Sequence, residues 1–282
     1  GALPAAAGQR PFAAQKPAEA NGTVEIINVA GTIDVRGWDR PLVDVAGTIG
    51  DRVERVDVSS SGNRTTIRVV VPDSGSWKGD GDAILKIRVP QGSALEASLV
   101  SADLKVEDVA GAQRLRTVSG DIYTGGAGGF DVETVSGDVH VAGRGSHDAR
   151  VKSISGDVNV ADTDGSLQVS TVSGDAKLAV GTLKNGHFET VSGDVMFSGG
   201  VDGAGQLEFQ SVSGDVQLHF ASAPDADFDV QDFSGDISNC FGPKVDKEQF
   251  GPGQRLNFRS GKGGARVRAS SHSGDVSICT GR

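Results

Sequence analysis

Apolar and polar residues alternate along most of the chain, and the triad Ser-Gly-Asp interrupts this alternation at regular intervals. The triad occurs eight times, and six of the seven spacings between copies are 17 to 21 residues. Alternation with period two predicts half-buried β-strands, and a fixed period near 20 predicts a solenoid whose repeats bury apolar residues only against their neighbours. The copies end at Asp121, Asp138, Asp157, Asp175, Asp194, Asp215, Asp236 and Asp275.

Aligning the copies on the aspartate defines columns, which are sets of residues at the same offset from it. The columns six residues before the aspartate and one residue after it are apolar, as with Phe188 and Val195 around Asp194. We assign the column three residues before the aspartate to the core as well, and expect its last member to be partly buried in a cap. That column holds Val118, Val135, Ile154, Val172, Val191, Val212, Phe233 and His272.

The Ser-Gly-Asp bend has a structural explanation. Gly adopts positive φ without steric cost, and Ser and Asp side chains accept hydrogen bonds from nearby backbone N–H groups. Stacked aspartates about 5 Å apart would also attract cations, which makes calcium the alternative interpretation. One carboxylate per repeat supplies few of the six to eight oxygens that calcium takes. We therefore expect the eight aspartates to form a structural turn ladder, with no cofactor and no metal.

The pattern predicts an all-β protein, a single-stranded β-solenoid of roughly ten coils with about 19 residues and two strands per coil, capped at both ends. Residues 1–22, rich in Ala and Pro, are expected to be flexible, and 23–94 to hold a first coil and an irregular β cap. Residues 95–238 form the regular array. Residues 239–282 are expected to hold an excursion, a hairpin of Arg255–Ser260 with Ala265–Ser270 that closes the C-terminal end, and the last repeat.

Two cysteines occupy equivalent positions, because Cys240 and Cys279 each lie four residues after a repeat aspartate. Adjacent coils would bring their Cα atoms near the roughly 4.4–6.8 Å that a disulfide requires. A complete coil between them would double the separation to about 10 Å and leave two free thiols. We hypothesise a disulfide formed in an oxidising compartment. Two cysteines with no histidine at ligand spacing do not predict a metal site.

The charge of the chain limits its partners. A formal net charge of −10 disfavours nucleic acid and anionic lipid headgroups. No apolar run approaches the roughly 18 residues of a transmembrane segment, and Leu3–Ala7 resemble the remainder of a removed export signal. Five cationic residues on the expected hairpin form a candidate interaction patch for an acidic partner or glycan, or else a solvated edge: Arg255, Arg259, Lys262, Arg266 and Arg268.

Catalysis has weak support in the sequence. Parallel β-helices can carry polysaccharide-cleaving enzymes on one outward face, but the outward residues here vary between repeats without an acid–base pair at recognisable spacing. These residues are Arg114, Asp131, Arg150, Lys152, His187 and Glu189. No histidine accompanies a recognisable Ser or Cys nucleophile motif. We expect a non-enzymatic protein, with a glycan-binding or glycan-active β-helix as the alternative.

The run Thr134–Val141, repeated from about residue 95 to 280, resembles the bacterial putative-adhesin family of β-strand-repeat proteins, a domain of unknown function. The resemblance implies an exported or envelope-associated β-solenoid and, in some relatives, a genetic link to envelope-stress signalling. It brings no catalytic or binding residues to transfer. The expected role is a spacer or interaction surface in the periplasm or at the cell surface, with an envelope protein or a surface glycan as partner.

Overall fold

Short strands, joined by bends and stacked on one another, account for the alternating pattern. The computed structural model describes residues 9–72, 81–145, 148–247 and 253–281, which form strands and no helix. They fall into two compact units divided between Gly137 and Asp138, called unit 1 and unit 2 below. Strand pairs are mostly parallel in both. No described segment is a helix of the length and hydropathy needed to cross a membrane.

The described residues of unit 1 form ten strands. These are β1 (Gln9–Pro17), β2 (Thr23–Trp38), β3 (Leu42–Gly50), β4 (Arg55–Ser61), β5 (Arg64–Val70), β6 (Ala83–Pro90), β7 (Ala94–Glu107), β8 (Gln113–Ser119), β9 (Ile122–Gly126) and β10 (Phe130–Ser136).

Strand β2 lies between two other coils. Its first half pairs in parallel with β5 and its second half with β6, while both halves pair with β7 on the opposite edge. Beyond β7, the stack continues through β8 and β9, and β10 pairs with β8. The first coil of the sequence is therefore covered by β5 and β6, which the chain forms later.

Antiparallel strands complete the N-terminal part of unit 1. Strand β3 pairs with β6 on one edge and β1 on the other, and β4 pairs with β5. The expectation that residues 1–22 are flexible is wrong for β1, which pairs with β3 along all nine of its residues. β1 occupies the edge of β3 that would otherwise be unpaired. Residues 1–8 lie outside the described residues.

A buried carboxylate connects three of these strands. Asp44 of β3 accepts hydrogen bonds from Gln15 of β1 at 2.8 Å and from Nε of Arg88 of β6 at 3.0 Å. Burial raises the pKa of Asp44, but the hydrogen bonds from Gln15 and Arg88 outweigh it, and the net pKa is lowered. The ionised form of Asp44 therefore stabilises this end of unit 1.

The described residues of unit 2 form thirteen strands. These are β11 (Val139–Gly143), β12 (Asp148–Ser155), β13 (Val158–Ala161), β14 (Gly165–Ser173), β15 (Ala176–Ser192), β16 (Val195–Ser213), β17 (Val216–Phe220), β18 (Ala226–Asp232), β19 (Ile237–Asn239), β20 (Asp246–Lys247), β21 (Gln254–Ser260), β22 (Ala265–Ser273) and β23 (Val276–Thr280).

The repeats of unit 2 stack in parallel, but not entirely in chain order. The strands before the bend form the series β12, β14, β15 and β16, and the series continues with β22 and then β18. After the bend, β23 likewise lies between β17 and β19. The repeat of Asp275, last in the sequence, is thus inserted between those of Asp215 and Asp236. Chain order alone would place it at the end of the stack.

The predicted C-terminal hairpin is also wrong. Its two segments are β21 and β22, which do not pair with each other but flank β18, with β21 antiparallel and β22 parallel to it. Because β22 occupies the inner edge of β18, the outer edge is free to accept β21, and this pairing removes an exposed strand edge. Strand β21 therefore covers the outer edge of β18, and the two residues of β20 pair with β21 in turn.

Insertion of the last repeat makes the two cysteines neighbours. Cys240 directly follows β19 and Cys279 lies in the paired strand β23; their Cα atoms are 4.8 Å apart, and they form a disulfide. The prediction of a disulfide is confirmed. The two cysteines are 39 residues apart in sequence, but their repeats are direct neighbours in the stack and no other coil lies between them.

The core lies between the strands before and after each bend. The columns six residues before and one residue after the aspartate are buried, as predicted. Large residues pack against one another within unit 2, where Phe188 stacks on Phe209 at 4.8 Å between ring centroids, and Phe197 meets Phe209 edge-on at 5.3 Å.

Candidate functional site

The Ser-Gly-Asp bends form a corner at which neighbouring repeats approach each other closely. Gly193 has φ of 144°, and a Cβ placed on it would lie 2.2 Å from the carbonyl oxygen of Gly174 in the neighbouring repeat. Gly214 likewise has φ of 150° and would bring a Cβ within 2.1 Å of the Gly193 oxygen. Only glycine satisfies both requirements, because an L-residue is strained at this φ and no space exists for a side chain.

The repeat aspartates connect neighbouring repeats through hydrogen bonds. Asp175 Oδ1 accepts the backbone N–H of Asp194 at 2.9 Å, and Asp194 Oδ1 accepts that of Asp215 at 2.8 Å. The same contact joins Asp103 to Asp121 in unit 1, at 3.0 Å. In unit 2 it follows the stacking order Asp138, Asp157, Asp175, Asp194, Asp215, Asp275 and Asp236.

These bonds differ from the turn bonds that we expected, because each carboxylate stabilises the next repeat rather than its own bend. One oxygen of each bonded aspartate is thereby used by the backbone. Among the described residues, no group of three or more His, Cys, Asp or Glu side chains is arranged to hold a metal ion.

The column three residues before the aspartate is exposed, and its assignment to the core is wrong. Val191 is 48% exposed, while Thr190, the residue before it, is buried. The alternation established by the buried residue Phe188 continues inward at Thr190, so Val191 points outward immediately before the bend. The inward position in this part of the repeat is a hydroxyl residue: Thr117, Thr134, Ser153, Thr171, Thr190, Ser211 and Ser271 are all buried, as is Asp232 in the same column.

The outward residues form a stripe on the corner of each unit, and all of its members except His272 are apolar. In unit 1 the stripe consists of Val29, Val100, Val118 and Val135, which are 41–49% exposed. In unit 2, called the unit 2 stripe below, it consists, in stacking order, of Ile154, Val172, Val191, Val212, His272 and Phe233. The apolar members of the unit 2 stripe are 47–52% exposed.

The two rings at the end of the unit 2 stripe stack on each other. Their centroids are 4.7 Å apart, and their planes differ by 10°. His272 is exposed rather than partly buried in a cap, which corrects our expectation for this residue. Next to the stripe runs the exposed serine of each triad, followed by the aspartate ladder.

The candidate cationic patch is interleaved with carboxylates. Arg255 and Arg259 lie on β21 and Arg266 and Arg268 on β22, but β18 lies between these strands and carries Asp227 and Asp229. Arg259 Nε donates to Asp227 at 2.6 Å, a hydrogen bond that lowers the pKa of Asp227.

The remaining cation of the patch is also next to a carboxylate. The backbone N–H of Lys262 donates to Asp225 at 2.9 Å. The five cationic residues therefore do not form a separate positive surface.

The outward residues weighed for catalysis are exposed or half-exposed, and most of them contact another polar side chain on the same or a neighbouring strand. Arg114 contacts Asp131 at 3.3 Å, and His187 contacts Glu189 at 2.8 Å and Glu208 at 3.3 Å. Arg150 and Lys152 are exposed on β12, beside Gln168 and Ser170 of β14. Exposed pairs of this kind are screened by solvent and contribute little energy, so they are most simply explained as a solvated sheet face.

One family model matches most of this chain. It is the Toastrack DUF4097 model, and it matches residues 44–279. Among curated proteins no sequence matches this chain significantly.

Solved structures match this chain at low sequence identity and with TM-scores below 0.5. One is described as a putative adhesin from Parabacteroides distasonis ATCC 8503, with 12% identity, a TM-score of 0.46, and coverage of 95% of this chain and 97% of that one. Another is a putative adhesin from Bacteroides fragilis NCTC 9343, with 13% identity, a TM-score of 0.41, and coverage of 96% and 97%. A third is described as a putative lipid binding protein from P. distasonis, with 13% identity, a TM-score of 0.38, and the same coverage. The family model covers most of the chain, which therefore belongs to the Toastrack DUF4097 family.

Proposed function

We propose that this protein is an exported, non-enzymatic β-solenoid of roughly ten coils that acts as an adhesin-like interaction scaffold in the bacterial envelope. The observation that carries the proposal is the apolar stripe. Isolated exposed apolar residues are normal on protein surfaces, whereas a regular row of them marks a contact site.

The size of the stripe supports this role. A half-exposed valine or isoleucine presents on the order of 70 Å², so the unit 2 stripe offers roughly 400 Å², the range of functional surface patches on soluble proteins. The surface is also rigid, because backbone contacts at the glycines and the aspartate hydrogen bonds fix the spacing between repeats. A rigid surface loses little conformational entropy when a partner binds.

The disulfide supports export. Disulfides between structural cysteines persist mainly in oxidising compartments, such as the periplasm and the cell surface. The bond between Cys240 and Cys279 is therefore consistent with a protein that works outside the cytoplasm.

Site-specific photo-crosslinking in the native cells tests the proposal. A photoreactive amino acid replaces Val191 in the unit 2 stripe, and a matched variant carries it at Lys184, which is exposed but outside the stripe. We expect Val191 to capture a defined envelope protein that Lys184 does not capture. Capture of polysaccharide alone would favour the glycan-binding alternative. Equal capture from both positions, or none from Val191, would contradict a role for the stripe.

A further inference from the structure

We propose that the unit 2 stripe and the aspartates beside it bind a basic amphipathic helix of a protein partner. This inference rests on the proposed function, since it assumes that the stripe is a contact surface. It adds the chemistry and the shape of what the stripe contacts.

The first argument is charge. Beyond the exposed serines, the stripe is bordered by six carboxylates, one from each repeat: Asp157, Asp175, Asp194, Asp215, Asp275 and Asp236. The contacts of His187 with Glu189 and Glu208 and the ion pair of Arg259 with Asp227 do not include any of these six aspartates. Five of these carboxylates accept a backbone N–H, and Asp236 accepts the side-chain N–H of Gln254, so these donors are neutral groups that bring no positive charge to this border. Lys177, two residues after Asp175, is one cation near this border.

The opposite border of the stripe is neutral overall. The outward residues there are Lys152, Ser170, Glu189, Gln210, Ser270 and Gln231. Negative charge is thus concentrated on one side of an apolar row. A partner that matches this surface has an apolar face with cationic side chains along one of its edges.

The same charges disfavour other occupants. A second copy would bring another row of aspartates and a further formal charge of −10 to the interface. Anionic lipid headgroups would be repelled by the aspartates. A basic protein segment is attracted instead.

The second argument is length and spacing. Six repeats about 4.8 Å apart give a stripe on the order of 24 Å long, which an α-helix of about 16 residues spans. A helix presents one apolar position per turn of about 5.4 Å, close to the spacing between repeats, whereas a β-strand presents one about every 6.7 Å. A helix therefore places an apolar side chain near almost every repeat.

The test uses the purified, oxidised protein and a synthetic 16-residue peptide stapled in helical form, with leucines on one face and lysines along one edge. The matched peptide has glutamate at each lysine position. Binding is measured by fluorescence anisotropy at low and high salt. We expect the lysine peptide to bind at least tenfold more tightly than the glutamate peptide and to weaken as salt increases.

Variants of the protein identify the surface. Val191→Thr with Val212→Thr keeps the shape of two exposed residues. It should weaken binding of the lysine peptide about tenfold, because one of the two γ-carbons of each side chain becomes a hydroxyl. Asp194→Asn with Asp215→Asn retains the acceptor oxygens for the backbone while removing two charges, and should reduce both affinity and salt dependence. Lys184→Ala is the control and should bind as the unmodified protein does.

Several results would overturn the inference. Equal affinity for the two peptides would contradict the charge argument. Unchanged affinity in the valine variant would show that the unit 2 stripe is not the binding surface. Concentration-dependent dimerisation in sedimentation that the valine variant loses would identify a second copy as the occupant. Binding to phosphatidylglycerol vesicles in preference to the peptide would identify a lipid surface. If Val191 captures a protein in cells while the lysine peptide does not bind, the partner chemistry is wrong and the proposed function remains. If Val191 captures nothing, the proposed function itself fails.

Discussion

Replacement of Gly193 by alanine tests whether the glycine corner holds neighbouring repeats together. The added Cβ would lie 2.2 Å from the oxygen and 2.7 Å from the carbon of the Gly174 carbonyl, at φ of 144°. Both contacts are with backbone, so no side chain can move aside. The neighbouring repeats would have to separate by on the order of 1 Å to reach an ordinary contact distance.

The expected cost combines strain with lost hydrogen bonds. An L-residue at this φ costs roughly 1–3 kcal/mol. Separation also lengthens the bond from Asp194 N–H to Asp175 Oδ1 and the bond from Gly174 N–H to the Ser192 carbonyl, now 2.9 and 3.1 Å. At about 1 kcal/mol for each bond, the total is about 3–5 kcal/mol.

Hydrogen exchange measures this effect locally, which matters because repeat proteins need not unfold in one step. A loss of about 3 kcal/mol would reduce the protection of the Asp194 amide roughly a hundredfold. The control is Gly203→Ala, since no heavy atom lies within 4 Å of the added Cβ and φ is outside the left-handed region. The control should be neutral or slightly stabilising. Equal protection in the two variants would refute the close-approach argument.

Three further predictions concern stability in denaturant. Asp44→Asn should destabilise the protein by about 1–2 kcal/mol near pH 7. Because folding lowers the pKa of Asp44, its contribution to stability is present above the unfolded pKa and is lost as pH falls through the folded pKa. The stabilities of wild type and variant should therefore converge in acid, and a difference that stays constant with pH would contradict this origin. Cys240→Ser with Cys279→Ser should cost about 4 kcal/mol for a closed loop of this length, and dithiothreitol should lower the denaturation midpoint of the wild type but not of the variant. The buried hydroxyl of Thr190 has no hydrogen-bond partner among the described residues, so Thr190→Val should stabilise the protein by up to about 1 kcal/mol, and a clear loss of stability would show that the hydroxyl is satisfied.

The sequence predicts the strands and bends well because each repeat carries the same alternation. The buried columns at Phe188 and Val195 follow directly from it. Val191 is apolar like the core residues, but its position in the alternation is outward. Phe188 and Val191 are three residues apart and cannot both point inward on one strand. Thr190 is two residues after Phe188 and therefore takes the inward position, which can be read from the sequence.

The order of the repeats was not predictable in the same way. Every repeat presents similar columns to its neighbours, so periodicity does not specify which repeat lies beside which. The arginines of β22 carried one signal, since Arg268 lies between Glu208 and Asp229 in the stack. Opposite charges on three strands agree with the observed order. The disulfide was predictable because two cysteines at the same offset become neighbours whenever their repeats are adjacent.

The apolar stripe was hidden for a related reason. A valine in the sequence gives no sign of whether it is exposed or buried, and only its position relative to the bend distinguishes the two cases. Recognition of a docking surface in such repeats therefore depends on where the chain turns, which a list of apolar residues does not contain.

The insertion of the last repeat changes what truncation of this protein means. In a stack that follows chain order, removal of the final repeat shortens the array and exposes one new end. Here, removal of residues 265–280 would open a slot in the interior, with β16 and β17 on one wall and β18 and β19 on the other. Both walls would present unpaired strand edges and apolar side chains. During synthesis the ribosome releases the strands of both walls before the repeat that fills the slot, so the C-terminal residues complete the unit rather than extend it.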